Sequence, residues 1–151
     1  MEALKVIFLD VDGVLNSALT ARETRSGAQF VGARQVKNLR RIIQETGAKV
    51  VLSSDWRYGR SDPRMNADFL ELKHELRRYG IRLFDFTPEL CGARRGEEID
   101  AWLKAHPEVS HFVILDDCPD VDPNRDHWVQ TTLTRGLTKE DAETAIKLLS
   151  D

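Results

Sequence analysis

The stretch Val6-Ile7-Phe8-Leu9-Asp10-Val11-Asp12-Gly13-Val14-Leu15-Asn16 decides how the chain is read. Its first four residues are apolar without alternation, as in a strand buried on both faces of a parallel sheet. Two acids then follow one residue apart, and a glycine closes the run. Ionised carboxylates at the end of a buried strand are costly unless a cation or hydrogen-bond donors compensate them. The stretch therefore predicts a hard-cation site on the carboxyl edge of a sheet, with one acid free to act as a nucleophile. The plain alternative is a strand running into an acidic turn where Gly13 supplies a positive φ.

Working outward, strands and helices alternate. A polar stretch at residues 17–30, punctuated by Gly27 and Gly32, reads as a loop or minimal flap. Val36, Leu39, Ile42 and Ile43 fall at helical spacing within residues 33–46, and Gly47 is a stop signal. Residues 49–53 form the second strand and residues 55–63 a polar loop. A second helix spans 65–79, closed by Gly80, and residues 81–84 are a short third strand. A helix over 96–105 buries Ile99, Trp102 and Leu103. The fourth strand, 111–115, again ends in acids, Asp116 and Asp117. A fifth strand at 127–130 precedes a helix that Thr138 can cap, with Asp141 in the capping-box position.

Alternation of this kind implies a single α/β domain over residues 1–151. Its expected form is a three-layer, Rossmann-like, doubly wound parallel sheet of about five strands, capless or with a minimal flap. Ligands bind such sheets outside the carboxyl ends of the strands. Asp10, Asp12, Ser53, Asp116 and Asp117 all sit at or just past such ends.

Composition narrows the function. The chain has 151 residues and a net charge of -3, which argues against a strongly basic nucleic-acid binder but leaves room for a few local arginines. With 41% hydrophobic and 31% charged residues it reads as a globular protein. It shows no membrane-crossing run and no leader pattern, so a cytoplasmic location is expected. Cys91 and Cys118 are too few for a disulfide framework and lack zinc-site spacing; free thiols are the expectation, with a bridge left open. The four histidines are scattered without ligand spacing.

The order Phe8-Leu9-Asp10-Val11-Asp12-Gly13-Val14, then Val50-Val51-Leu52-Ser53, then a basic residue at a helix start, then Ile114-Leu115-Asp116-Asp117, resembles the haloacid dehalogenase (HAD) superfamily over nearly the whole chain. The segment Ser53-Ser54-Asp55-Trp56-Arg57 is also similar to the HAD phosphatase domains of RNA-repair "Swiss Army knife" proteins. The resemblance implies that Asp10 attacks phosphorus with one oxygen on Mg²⁺, forming an aspartyl-phosphate. It implies that Asp12 protonates the leaving oxygen, later deprotonates water, and lends its carbonyl to the metal. Ser53, or Ser54 one residue on, would bond a phosphoryl oxygen. Asp117 would complete the magnesium shell, with Asp116 a second ligand or an orienter.

The lysine usual in this family is absent, and Arg95, with Arg94 as the alternative, is expected to supply its charge. Gly13, Ser54, Arg57 and Arg94 make up the expected substrate-binding set. Arg57, Arg60 and Arg64, with Trp56 and Tyr58 among them, suit remote phosphates and a stacked base, or else form a charged surface loop.

The expected activity is a Mg²⁺-dependent phosphomonoesterase acting on phosphorylated substrates, with nucleotide or nucleic-acid ends favoured. An open site suits a large substrate or closure by a partner subunit. Two other classes compete. A receiver-like signalling module would need its acceptor on the third strand and a lysine directly after the fifth. A catalytically degenerate HAD fold that only binds a ligand or partner draws its support from the missing lysine.

Overall fold

Strand β1 (Leu4–Leu9) lies at the centre of the sheet, and its last four residues are wholly buried. The structure, a computed structural model, describes residues 3–20 and 31–151. The expected flap over 17–30 therefore lies, from residue 21 onward, outside the described residues. After β1 come α1 (Ala33–Thr46), β2 (Lys49–Leu52), a 3₁₀ segment (Asp55–Arg60), α2 (Asn66–Arg78) and β3 (Leu83–Phe86). The chain continues through α3 (Arg95–Lys104), β4 (Val109–Asp116), a short 3₁₀ turn (Arg125–His127), β5 (Trp128–Gln130) and α4 (Lys139–Leu149).

Among the described residues the strands form one all-parallel sheet in the order β3-β2-β1-β4-β5. This is the α/β, Rossmann-like arrangement expected from the alternation. The winding direction reverses between β1 and β4, which opens a crevice beyond their carboxyl ends.

Alternate side chains of the strands feed two cores. Ile7, Leu9, Val50, Leu52, Val113 and Leu115 pack beneath α1, α2 and α4, through Leu39, Leu72 and Ala145 among others. Val6, Phe8, Val51 and Ile114 face α3 through Ile99 and Trp102. Phe8 meets the Trp102 ring edge-on at 5.5 Å. Each wholly buried leucine or isoleucine of this kind contributes roughly 1.5–3 kcal/mol through removal from water.

Several boundaries differ from the sequence reading, β4 among them, which begins at Val109 rather than at residue 111. The third strand begins at Leu83 rather than at residue 81. Gly80 takes φ +76° at the end of α2, and Ile81 N–H bonds back to Leu76 O at 3.0 Å. This glycine closure commits Ile81 to packing against the helix it ends, so pairing starts two residues later. The loop after β2 is not irregular: residues 55–60 wind into the 3₁₀ segment, started by Ser54 Oγ accepting from Trp56 N–H at 3.1 Å. The fifth strand starts at Trp128, its expected first residue His127 having closed the second 3₁₀ turn. At α4, Thr138 Oγ1 and Asp141 make both reciprocal cap bonds at 3.1 Å, despite the short acid.

Candidate active site

Strand register sets the site. Leu9 pairs with Leu52 on one side and Leu115 on the other, so Asp10, Ser53 and Asp116 stand abreast at one edge. Asp10 N–H donates to Leu115 O at 3.0 Å, and Ser53 N–H donates to Leu9 O at 2.9 Å. The end of β4 is anchored in turn by Trp128 Nε1 and Thr131 N, which both donate to Asp116 O. Carboxylate oxygens of Asp10, Asp116 and Asp117 consequently lie within 4.8 Å of one another.

Arg95, the first residue of α3, reaches into this cluster. Its Nη1 is 3.0 Å from Asp10 Oδ1 and 2.8 Å from Asp116 Oδ2, while Nη2 is 3.7 Å from Asp55 Oδ1. Gly96 lets the helix come this close: its N–H bonds to Asp120 O at 2.9 Å, and a Cβ there would collide with Asp122 O. Asp12, Ser54 and Asp55 share with these residues a cavity of about 190 Å³.

The electrostatics leave an imbalance. Burial raises the Asp10 pKa to about 8, the nearby Asp116 charge adds to the rise, and Arg95 opposes it. Asp117 shifts upward for the same reasons, burial first and Asp116 second. Burial also works against the Arg95 charge, but Asp10 and Asp116 outweigh it and hold the guanidinium protonated. Three carboxyl groups beside one guanidinium are more than it can compensate in a buried place, so without a further cation Asp10 keeps its proton near neutral pH. All the candidate donors are carboxylate oxygens, the set preferred by a hard divalent cation. The residues present fit such an ion.

Asp12 stands apart from that triad. Its Oδ1 accepts from Asn16 Nδ2 at 2.9 Å and its Oδ2 from Trp56 Nε1 at 3.1 Å, so two donors aim an exposed carboxylate at the cleft. Gly13 turns the chain between Asp10 and Asn16 at φ +81°, and a Cβ on it would lie 2.5 Å from Asp117 Oδ2. Gly13 N–H donates to Asn16 Oδ1 and its carbonyl accepts from Thr131 Oγ1. Its part is to shape the turn rather than to offer a donor to substrate.

Ser53 and Ser54 differ in kind. The Ser53 hydroxyl is fully buried and has no protein partner among the described residues. Ser54 borders the cavity, and its hydroxyl caps the 3₁₀ segment.

Two arginines expected to touch substrate are placed otherwise. Arg57 is 0% exposed and its guanidinium is engaged wholly inside the protein. Nε donates to Thr87 O, Nη1 to the carbonyls of Ser53 and Ser54, and Nη2 to Pro88 O, while Nη2 also makes an ion pair with Glu98 Oε1 at 2.9 Å. It is a strut between the loop after β2 and helix α3. Arg94 lies outside the acid cavity, exposed and 3.8 Å from Asp120. The rest of the arginine-aromatic loop is also paired: Arg60 with Glu89 at 3.3 Å, and Arg64 with Asp62 at 3.0 Å.

Sequence reading missed Asp55 and Glu98 and gave Trp56 a different task. Asp55 immediately follows the serine pair, which is the one local signal that could have found it. Glu98 shows itself only through Arg57, more than forty residues away in the chain. Cys91 and Cys118 are exposed, unbonded thiols bordering one wide cleft. No helix among the described residues is long and apolar enough to cross a membrane.

Residues 6–142 match a family profile described as the HAD domain in Swiss Army Knife RNA repair proteins. No curated protein matches the chain.

Proposed function

The chain belongs to this family of HAD domains, and from that premise we propose that it is a divalent-cation-dependent phosphomonoesterase with Asp10 as nucleophile. One observation carries the reading: the carboxylates of Asp10, Asp116 and Asp117 converge within 4.8 Å, with Arg95 3.0 Å from Asp10. Such an arrangement is costly as a piece of core and useful as a phosphate site.

In the first half-reaction an Asp10 oxygen attacks phosphorus, an O–P bond forms, and the bond to the leaving oxygen breaks. Asp12, protonated at the outset, gives its proton to that oxygen, so an alcohol rather than an alkoxide departs. In the second half-reaction Asp12 takes a proton from water as the water oxygen attacks phosphorus. Inorganic phosphate leaves and the Asp10 carboxylate is restored. Asn16 and Trp56 hold Asp12 in line for both transfers.

Arg95 stands where it can neutralise a phosphoryl oxygen beside the nucleophile, the task a lysine performs elsewhere in the superfamily. Ser53 is assigned the hydrogen bond to a second phosphoryl oxygen, because its buried hydroxyl otherwise lacks a partner among the described residues. Asp10, Asp116 and Asp117, with the Asp12 carbonyl, would hold Mg²⁺, which when bound supplies charge neutralisation and polarises the phosphoryl group.

The test is hydrolysis of p-nitrophenyl phosphate with Mg²⁺ or Mn²⁺, with and without EDTA. Turnover lost in Asp10→Asn and in EDTA supports the reading. Metal binding without turnover in the wild-type protein would replace it with the degenerate, ligand-binding alternative.

A further inference from the structure

The loop that carries Asp12 leads away from the cleft into a second groove of about 560 Å³, bordered among the described residues by four cations and no acid. Arg34 and Lys37 lie in the opening turns of α1, Arg135 in the loop after β5, and Lys139 at the start of α4; all four are exposed. None has an ion-pair partner among the described residues. The arginines around Trp56, by contrast, are all ion-paired. The first turn of α1 also has no acid, and its cap makes no side-chain hydrogen bond, so the positive helix end adds to the field.

The groove is rigidly joined to the site. Leu137 N–H donates to Val14 O at 2.7 Å and Ala18 N–H to Leu133 O at 2.9 Å. Gln35 Nε2 and Asn38 Nδ2 donate to the carbonyls of Arg135 and Leu137. Ser17 borders the groove five residues after Asp12, so one rim of the groove belongs to the loop that carries the proposed acid. The other cleft beside the cavity, about 690 Å³, is lined by five acids and two arginines, and its acids already hold the arginines around them in ion pairs.

We propose that the basic groove binds the backbone phosphates of a single nucleic-acid strand whose terminal phosphate occupies the acid cavity. The identity of the terminal group rests on the phosphatase reading; the groove's affinity for a strand does not. Four separate cations along a concave track suit successive phosphates, and Leu19, 46% exposed at its edge, offers apolar surface to a sugar or base.

The experiment is fluorescence anisotropy of a labelled 12-mer without terminal phosphate, in EDTA, across a salt series. Four phosphate contacts on a single strand give a log–log salt slope of about −2.8, hence a roughly 50-fold loss of affinity for a fourfold rise in salt. Lys37→Ala with Arg135→Ala should halve the slope, leaving only about a sevenfold loss. Lys147→Ala, exposed at the far end of α4, should behave as wild type. In the presence of metal the double variant should raise KM for a phosphorylated oligonucleotide and leave p-nitrophenyl phosphate turnover unchanged. An unchanged salt slope in the double variant, or no strand binding by the wild type, overturns the proposal. So does displacement of the strand by polyglutamate as readily as by unlabelled oligonucleotide, which would reassign the groove to an acidic protein. Absence of phosphatase activity alongside groove-dependent strand binding would defeat only the catalytic reading.

Discussion

Arg57 is wholly buried and reaches Glu98 at 2.9 Å, so a buried ion pair ties the loop after β2 to the helix that presents Arg95. A buried pair is weak evidence of net stabilisation, but breaking one side leaves an uncompensated charge and costs about 3–5 kcal/mol. Arg57→Ala also takes a donor from four backbone carbonyls, of which Ser54 O keeps its backbone partner. It should lower the urea unfolding free energy by at least about 3 kcal/mol, whereas Glu98→Gln, which keeps an acceptor, should cost clearly less. Equal stability of Arg57→Ala and wild type would show that the strut is not structural.

The acid cluster makes stability depend on pH. The Asp10 pKa is about 8 in the folded protein, against 3.8 for the free side chain. Between those values the folded state keeps a proton that the unfolded chain has released. Asp10 therefore stabilises the metal-free protein at low pH, and that contribution is lost as pH rises through the folded pKa. Asp10→Asn should raise the Tm in EDTA at pH 8.5 by more than at pH 5. Proton-competitive Mg²⁺ or Mn²⁺ should stabilise the wild type increasingly over the same range. A thermal shift with metal that is flat across pH would contradict this.

Gly13 meets two constraints at once, a left-handed backbone and the 2.5 Å approach that a Cβ would make to Asp117. Gly13→Ala carries a conformational cost of roughly 1–2 kcal/mol before the collision is counted. The expected outcome is a fall of at least tenfold in Mn²⁺ affinity by calorimetry. The fold, read by circular dichroism, should persist.

Asp12 owes its aim to Trp56 and Asn16. Loss of a hydrogen bond to a charged group costs about 1.5–3 kcal/mol, or roughly ten- to a hundredfold in rate where that bond acts in the transition state. Trp56→Phe should therefore slow hydrolysis of an alkyl phosphate more than of p-nitrophenyl phosphate, whose leaving group scarcely needs the proton. Equal slowing of both substrates would point to a merely structural tryptophan.

The sheet and the acids could be read from the chain because both depend on local signals. A continuous apolar run marks a buried strand, and paired acids at its end have few structural uses. Arg95 could be singled out because it directly precedes a helical pattern. Arg57 could not be read correctly: its burial is created by the carbonyls of Thr87 and Pro88 and by Glu98, all distant in sequence. A loop rich in arginine and aromatics looks the same on paper whether its cations face solvent or each other. The basic groove was hidden for the opposite reason, since Arg34, Lys37, Arg135 and Lys139 are unremarkable singly and converge only through the docking of α1 against α4. The shift of β3 came from a contest between helix closure and strand pairing for Ile81, which composition does not decide.

The place of β1 also bears on synthesis. Its partner on one side, β4, begins at Val109, so about a hundred residues must be translated before that edge of β1 can be covered. Until then the nascent chain carries its most oily strand with a row of open amides and carbonyls, a template for unwanted pairing. Because β4 also brings Asp116 and Asp117, an unfinished chain that needs shielding from aggregation lacks the complete acid triad as well.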